Sequence, residues 1–255
     1  MNFKSYMITF TKDENRLINF NRAKSKLHNL QLFDAVNAID HYSHFESIDR
    51  KNNYHTDQYL DKWKWLPGKL GCNLSYVKLL KDYYCDYNFY PNYPSWVLVI
   101  EDDIEIDRED SGDMFRSILS KASDLGIDFV KFFITTGKEN IDGKIVEFSP
   151  ELQFDESKHI SDGFYKLMPS WGTWAQAFHI NSVSKILEQL PWNDHIDQIL
   201  MRPPVFDSLN GAAYKQDFLN YSGAKSLEDS DSEFGSLIFS NSKDGKVDWR
   251  KLTRI

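Results

Sequence analysis

Short apolar runs alternate with stretches of helical spacing along the first part of the chain. Residues 6–10 and 32–36 are short, almost wholly apolar runs, which is typical of strands buried in a sheet. Between them, apolar residues recur every three or four positions, at Leu17, Phe20, Ala23 and Leu27. A strand, a helix and a second strand in this order predict the opening of a doubly wound α/β domain.

The same two patterns continue toward the C-terminus. Helical spacing recurs at residues 74–84, 114–125 and 183–190, and strand-like runs occur at residues 96–100, 128–134 and 172–180. Proline and glycine predict a turn at residues 67–71, and two glycines bracket a predicted loop at 137–143. Residues 37–66 show no period and are rich in aromatic residues, which predicts a long excursion over the surface.

The apolar run at residues 96–100 ends in three adjacent carboxylates, Glu101, Asp102 and Asp103. Buried strands of α/β sheets present ligand-binding groups at their C-terminal ends. Because adjacent carboxylates repel one another and lose hydration on burial, a bound cation explains the cluster. Hard divalent ions such as Mg²⁺ and Mn²⁺ prefer oxygen ligands, often completed by substrate phosphates. The alternative is a solvated acidic turn, since further acids follow as far as Asp113.

Composition limits the classes of function. The chain has 255 residues, enough for one large domain, and 41% of them are hydrophobic. Acidic residues outnumber basic ones by 38 to 30, and the net charge of −8 argues against a general nucleic-acid binder. No apolar run reaches the length of a membrane span. The two cysteines, Cys72 and Cys85, form neither a disulfide framework nor a CxxC pair, which predicts a reducing, cytoplasmic compartment.

Several familiar motifs are absent from the sequence, and their absence narrows the classes of enzyme to which it could belong. There is no GxGxxG, GxxxxGK[ST], HExxH or GxSxG motif. The acidic run does not fit an EF-hand loop, since the position that must be glycine, counted from Asp103, is Arg108. Carboxylates at the tip of a central strand, without a phosphate-binding glycine loop, suit an enzyme that holds a diphosphate through a metal ion.

Four segments, taken in order, match the motifs of one family. They are residues 32–37 (LFDAVN) after an arginine-bearing first helix, in which Arg16 or Arg22 is the arginine, residues 68–75 (GKLGCNLS), residues 99–103 (VIEDD), and residues 172–197, which run from a Gly-Thr strand through a helix to a closing aspartate. The chain thereby resembles glycosyltransferase family 25, the group associated with lipooligosaccharide and collagen glycosylation. The two middle segments are the most specific matches.

This resemblance implies a fold and a reaction. The implied fold is α/β and GT-A-like, with a mostly parallel, Rossmann-like central sheet flanked by helices. The implied enzyme is a hexosyltransferase of glycan biosynthesis, which moves a hexose from a nucleotide sugar, predicted to be a UDP-sugar, to a hydroxyl of a glycan or glycoconjugate acceptor. The predicted cofactor is Mn²⁺ or Mg²⁺, and the predicted transfer inverts the anomeric centre.

The resemblance also implies roles for the donor and metal residues. Asp103 would hold the metal ion, Asp102 would bind ribose hydroxyls, and Glu101 would bind the donor sugar. Gly68 and Ser75 belong to the glycine-cysteine segment that is assigned to donor binding.

An inverting transfer further requires a carboxylate that takes the proton of the acceptor hydroxyl. We predict Asp197 for this role, because it matches the closing aspartate of the family motif and follows Pro191 on a predicted loop. Asp194 is the second choice, and it is equally well interpreted as a surface acid.

Three positions depart from the family pattern. Tyr76 stands where the family usually has a histidine, and Phe178 replaces a common tyrosine. Residues 195–197 (HID) stand where the family motif closes with Pro-x-Asp. Tyr76 favours a second interpretation, a catalytically inactive carbohydrate-binding or scaffold protein that retains the GT-A fold. A third is a phosphoryl-transfer enzyme with Mg²⁺, whose nearest candidate phosphate clamps in sequence are Arg108 and Lys131.

The predicted domain organisation is a single glycosyltransferase domain over residues 1–222 and a partly ordered C-terminal extension over 223–255. The last segment, residues 243–255, carries five basic residues and two acidic ones. This segment is positively charged whereas the chain as a whole is negatively charged, which suggests weak contact of the tail with an anionic membrane surface. The predicted location is therefore cytoplasmic with peripheral membrane contact. A solvated tail is the alternative.

Overall fold

The computed structural model describes residues 1–11, 14–36, 67–141, 143–190 and 196–221. The predicted surface excursion at residues 37–66 and the predicted extension at 223–255 lie outside these ranges, so the domain organisation stays a prediction. None of the helices in the described ranges is both long and apolar enough to cross a membrane.

Strands and helices alternate as far as residue 101, after which several strands follow one another directly. The strands are β1 (Lys4–Thr9), β2 (Leu30–Asp34), β3 (Trp96–Glu101), β4 (Ile104–Ile106), β5 (Phe129–Lys131), β6 (Gly137–Ile141), β7 (Lys144–Phe148), β8 (His159–Ser161), β9 (Phe164–Lys166), β10 (Ala175–His179), β11 (Gly211–Tyr214) and β12 (Leu219–Tyr221). The helices are α1 (Glu14–Lys26), α2 (Pro67–Phe89), α3 (Ser111–Asp124), α4 (Pro150–Gln153), α5 (Ile180–Leu187), α6 (Ile196–Met201) and α7 (Val205–Ser208), with a 3₁₀ turn at Glu156–Lys158.

Eight of the strands form one sheet in the order β2-β1-β3-β10-β5-β11-β9-β8. β1 pairs in parallel with β2 and β3, and β5 pairs in parallel with β11. β10 and β9 pair antiparallel with both of their neighbours. Six of the eight strands therefore run in one direction and two run against them. The predicted class, an α/β fold with a mostly parallel central sheet flanked by helices, is confirmed.

Strand β3 lies inside the sheet and is buried on both faces, which explains its wholly apolar sequence. Leu98 and Ile100 join a core cluster with α1 and α3 on one face of the sheet. Val97 and Val99 join a second cluster with α2, α5 and α6 on the other face. The residue after this run, Glu101, is the first polar one, so the change from apolar to acidic residues marks the edge of the sheet.

Two local predictions are wrong. The predicted turn at residues 67–71 is the first part of α2, which begins at Pro67, because proline fits the first helical position, where no N–H partner is needed. The predicted loop at 137–143 contains β6, which pairs with β7 in a separate two-stranded sheet. Ile141 of β6 is buried in a small cluster with Phe148 and Met201, and it is the one large apolar residue in the sequence of this strand, which therefore carries almost no apolar signal.

Candidate functional site

Glu101 ends β3, Asp102 and Asp103 form the tight turn from β3 to β4, and α1 holds this acidic turn. Asn19 is 1% exposed, and its amide donates to the carbonyl oxygens of Asp102, at 2.6 Å, and Ile104, at 3.0 Å. These two carbonyls lie on either side of Asp103. The backbone on both sides of Asp103, the candidate metal ligand, is therefore fixed by the buried amide of Asn19.

Asp102 forms an ion pair with the first helix. Arg16 Nη1 lies 2.5 Å from Asp102 Oδ1, and the two side chains are only 11% and 10% exposed. The sequence left open whether Arg16 or Arg22 contributes the positive charge of α1, and Arg22 is exposed. Arg16 therefore neutralises one of the three carboxylates, and any ribose contact of Asp102 would share its carboxylate with this guanidinium.

Glu101 and Asp103 carry strongly perturbed carboxylates. Thr173 Oγ1 donates to Glu101 Oε1, and the Cys72 thiol lies 3.9 Å from the same oxygen. Burial raises the pKa of Glu101 to about 7, against its ordinary 4.5, and the Asp102 charge adds to the effect. Burial, followed by the charges of Glu101 and Asp102, raises the pKa of Asp103 well above its usual range. At neutral pH these two groups are therefore stabilised by protons or by a cation.

The donor chemistry of the turn fits a hard divalent ion, provided that a substrate completes its coordination. Glu101 and Asp103 offer oxygen ligands of the kind that Mg²⁺ and Mn²⁺ prefer, whereas Asp102 is engaged by Arg16. Within the described ranges, no group of three or more His, Cys, Asp or Glu side chains is arranged to hold a metal ion. Proteins commonly bind Mg²⁺ through one or two carboxylates together with substrate phosphates and water.

Tyr76, at the position where the family usually has histidine, is a buried structural residue. Its hydroxyl donates to the carbonyl oxygen of Thr173 at 2.7 Å, and its ring packs edge-on against Phe178. Burial raises the pKa of Tyr76 well above its usual range, so the phenol stays neutral. Tyr76 therefore anchors the backbone beside Glu101, and the second departure from the family, Phe178, is its packing partner.

The two residues predicted from the glycine-cysteine segment lie on α2. Gly68 is in the first turn of the helix. Ser75 is fully buried, and its hydroxyl accepts from Val36 N at 2.8 Å and donates to the Gly71 carbonyl at 2.7 Å. Ser75 therefore ties the segment after β2 to α2, and the donor-binding roles of Gly68 and Ser75 stay predictions.

Asp197 lies in the first turn of α6, so the prediction of a loop position is wrong. The helix begins here because Asn73 Oδ1 accepts the backbone N–H of Ile196 at 2.6 Å, which satisfies one terminal donor. Asn73 is the residue after Cys72, which contacts Glu101, so this hydrogen bond brings the start of α6 to the part of α2 beside the acidic turn. Asp194 lies outside the described residues.

Sequence reasoning missed several residues that build the site. Asn19, Thr173 and Asn73 hold the acidic turn, Glu101 and α6 respectively. Arg16 and Asn19 are three residues apart on α1, so they share one helix face. This spacing of two polar residues within an otherwise apolar helix face was a signal for a buried polar contact.

Comparisons with known proteins give no family assignment. No family model matches the sequence, and no curated protein matches it. Membership of glycosyltransferase family 25 therefore stays a prediction.

Solved structures show distant similarity in shape. A197 from STIV is 12% identical, with a TM-score of 0.41 over 84% of this chain and 82% of that chain. S. aureus TarS 1-349 in complex with UDP-GlcNAc is 11% identical, with a TM-score of 0.42 over 86% of this chain and 57% of that chain. A cytidylyltransferase from Leptospira borgpetersenii is 12% identical, with a TM-score of 0.37 over 86% of this chain and 77% of that chain. These values are too low to support an argument about activity.

Proposed function

We propose that the protein is a metal-dependent glycosyltransferase that moves a hexose from a nucleotide sugar, a UDP-sugar by preference, to a hydroxyl of a glycan or glycoconjugate. The observation that supports this proposal is the acidic turn at the tip of β3. Arg16 neutralises Asp102, while Glu101 and Asp103 are held in surroundings that favour a cation or protons beside them. A nucleotide diphosphate with a divalent ion is a ligand of matching chemistry.

In the proposed reaction, Asp103 holds the divalent ion, with Glu101 beside it. When bound, such an ion offsets the negative charge that grows on the diphosphate as the sugar leaves. Asp102, oriented by Arg16, accepts hydrogen bonds from the ribose hydroxyls. Glu101, oriented by Thr173, accepts a hydrogen bond from a hydroxyl of the donor sugar.

Asp197 is the proposed general base, which takes the acceptor proton during an inverting transfer. The hydrogen bond between Asn73 and Ile196 supports this choice, because it fixes the residue before Asp197 against α2 near the Glu101 contact. The loss of a general base typically slows a reaction by about 10² to 10⁴-fold. Asp197→Asn should therefore reduce turnover by that factor and leave donor affinity nearly unchanged.

The proposal is tested by measuring hydrolysis and transfer with UDP-glucose, UDP-galactose and UDP-N-acetylglucosamine in the presence of Mn²⁺. Asp197→Asn and Asp194→Asn form a matched pair, because each removes one charge from the same region of sequence. A loss with Asp194→Asn alone would move the base three residues upstream. Full activity in both variants would exclude an inverting base at either position.

A binding protein without turnover is the second candidate, and Tyr76 is the observation that favours it. Its side chain is fully buried and its hydroxyl donates to the Thr173 carbonyl, which argues against Tyr76 taking over the role of a histidine that reacts or binds ligand. This candidate predicts Mn²⁺-dependent binding of a UDP-sugar without hydrolysis or transfer in the same assay.

A further inference from the structure

Residues 170–174, called the pinned loop below, lie just before β10 in the connection from β9, and each of their five carbonyls accepts a hydrogen bond. The Ser170 and Trp171 carbonyls accept from Lys131 Nζ at 2.5 and 2.9 Å. The Gly172 carbonyl accepts from the Gln176 amide at 2.9 Å, and the Thr173 carbonyl accepts from Tyr76 at 2.7 Å. The Trp174 carbonyl accepts from the backbone N–H of Glu101 at 2.7 Å.

Among the residues that hold the pinned loop, Lys131 is the one whose burial is energetically least favourable. It ends β5, it is 5% exposed, and no carboxylate among the described residues forms an ion pair with it. Burying an ammonium group without a counter-charge is unfavourable, and its burial lowers the pKa of Lys131 to about 7. An apolar side chain of similar shape would fill this place at lower cost, so the contribution of Lys131 lies in its hydrogen bonds to the pinned loop.

The pinned loop requires glycine at its centre. Gly172 has a φ of +93°, and a Cβ atom at this position would lie 2.4 Å from the Trp174 ring. The residue after Gly172 is Thr173, whose hydroxyl donates to the Glu101 carboxylate. A displacement of the carbonyls at residues 170 and 171 would therefore move Thr173, and with it the hydrogen bond that orients Glu101.

We propose that Lys131 is a positioning residue, which fixes the pinned loop so that Thr173 holds Glu101 in the orientation that meets the donor sugar. The role of Glu101 toward the sugar rests on the proposed function, whereas the anchoring of the loop does not. Lys131 uses two of its three N–H donors on the loop carbonyls, which argues against a direct clamp on the diphosphate.

Equilibrium binding of UDP and of a UDP-hexose separates positioning from general stability. The variants are Lys131→Met, Thr173→Val and the double variant, measured by calorimetry with Mn²⁺ and the tightest binder among UDP-glucose, UDP-galactose and UDP-N-acetylglucosamine. Lys131→Met should weaken the UDP-hexose at least about 10-fold and change UDP affinity less than about 2-fold. The double variant should lose no more than the larger single loss, because both changes break one chain of contacts.

The control is Lys185→Met, which removes a lysine that pairs with Asp128 at 2.6 Å and is not among the donors that hold the pinned loop. It should leave both affinities unchanged. Equal weakening of UDP and UDP-hexose by Lys131→Met would indicate a direct phosphate contact and overturn the proposal. Additive losses in the double variant would also overturn it, because Lys131 would then act independently of Thr173.

Hydrogen exchange without ligand tests the anchoring step by itself. In Lys131→Met, amides of residues 170–176 should exchange at least about 10-fold faster than in the wild type, and in Lys185→Met they should not. Unchanged exchange in Lys131→Met, or the same acceleration in both variants, would refute the anchoring. If the wild type binds neither UDP nor any of the UDP-hexoses, the proposed function fails, and the exchange result alone decides whether Lys131 fixes the loop.

Discussion

Replacing Glu101 by glutamine should remove a pH dependence from the stability of the protein. The folded protein keeps the Glu101 carboxyl protonated up to about pH 7, whereas the unfolded chain releases this proton near pH 4.5. Between these values the folded state binds more protons, so the free energy of unfolding falls as pH rises. Glutamine keeps the shape and the acceptor for Thr173 but cannot titrate.

The structure sets the size of this effect. A pKa displaced from 4.5 to about 7 corresponds to about 3 kcal/mol, since each pH unit is worth about 1.4 kcal/mol. Glu101 is only partly buried, so this value is an upper limit. We therefore expect Glu101→Gln to match the wild type near pH 4.5 and to exceed it by up to about 3 kcal/mol near pH 8.

Urea unfolding followed by tryptophan fluorescence, in metal-free buffer from pH 4.5 to 8.5, measures this difference. Glu109→Gln is the matched control, because Glu109 is an exposed carboxylate on the loop after β4. The difference between Glu101→Gln and the wild type should grow with pH, and Mn²⁺ should reduce it. A stability difference that stays constant with pH would show that the pKa of Glu101 is not raised in the folded protein and would refute the reasoning.

Three further predictions concern other parts of the molecule. Asn19→Leu leaves the carbonyls of the acidic turn without their donor and should lower the free energy of unfolding by about 1–3 kcal/mol; stability equal to the wild type in urea would contradict this. The pKa of Lys131 is lowered from 10.5 to about 7, so between these values the unfolded chain binds the extra proton, and wild-type stability should rise with pH relative to Lys131→Met by at most about 5 kcal/mol. Parallel stability curves for the two proteins would disprove this. Truncation after Ser242 should lower sedimentation with anionic liposomes, and unchanged sedimentation would favour a solvated tail.

The sequence predicts the class of the fold because burial imposes recognisable patterns. The apolar run of β3 and its acidic end both follow from its place inside the sheet, with both faces buried and its C-terminal end at the edge of the sheet. The directions of β9 and β10 could not be derived in the same way, because a strand that is buried on both faces has a similar composition whether it runs parallel or antiparallel. The hairpin of β6 and β7 was missed since it lies largely outside the two main cores.

The sequence predicted the three carboxylates of the site but not the residues that hold them in place. The carboxylates could be recognised because they are adjacent in the sequence. Their partners could not, because Arg16, Cys72 and Thr173 lie between 29 and 86 residues away along the chain. Only the packing of α1, α2 and the pinned loop around β3 brings these partners together.

The central claim is that Asp103 binds a divalent ion together with a nucleotide diphosphate. Calorimetry of UDP with the wild type and Asp103→Asn, with and without Mn²⁺, tests it most directly, with circular dichroism as the check on folding. The wild type should bind UDP with an affinity that depends on Mn²⁺, and Asp103→Asn should lose at least about 100-fold of that affinity while remaining folded. Wild-type protein that binds UDP equally well without Mn²⁺, or Asp103→Asn that keeps the metal-dependent affinity, would contradict the claim.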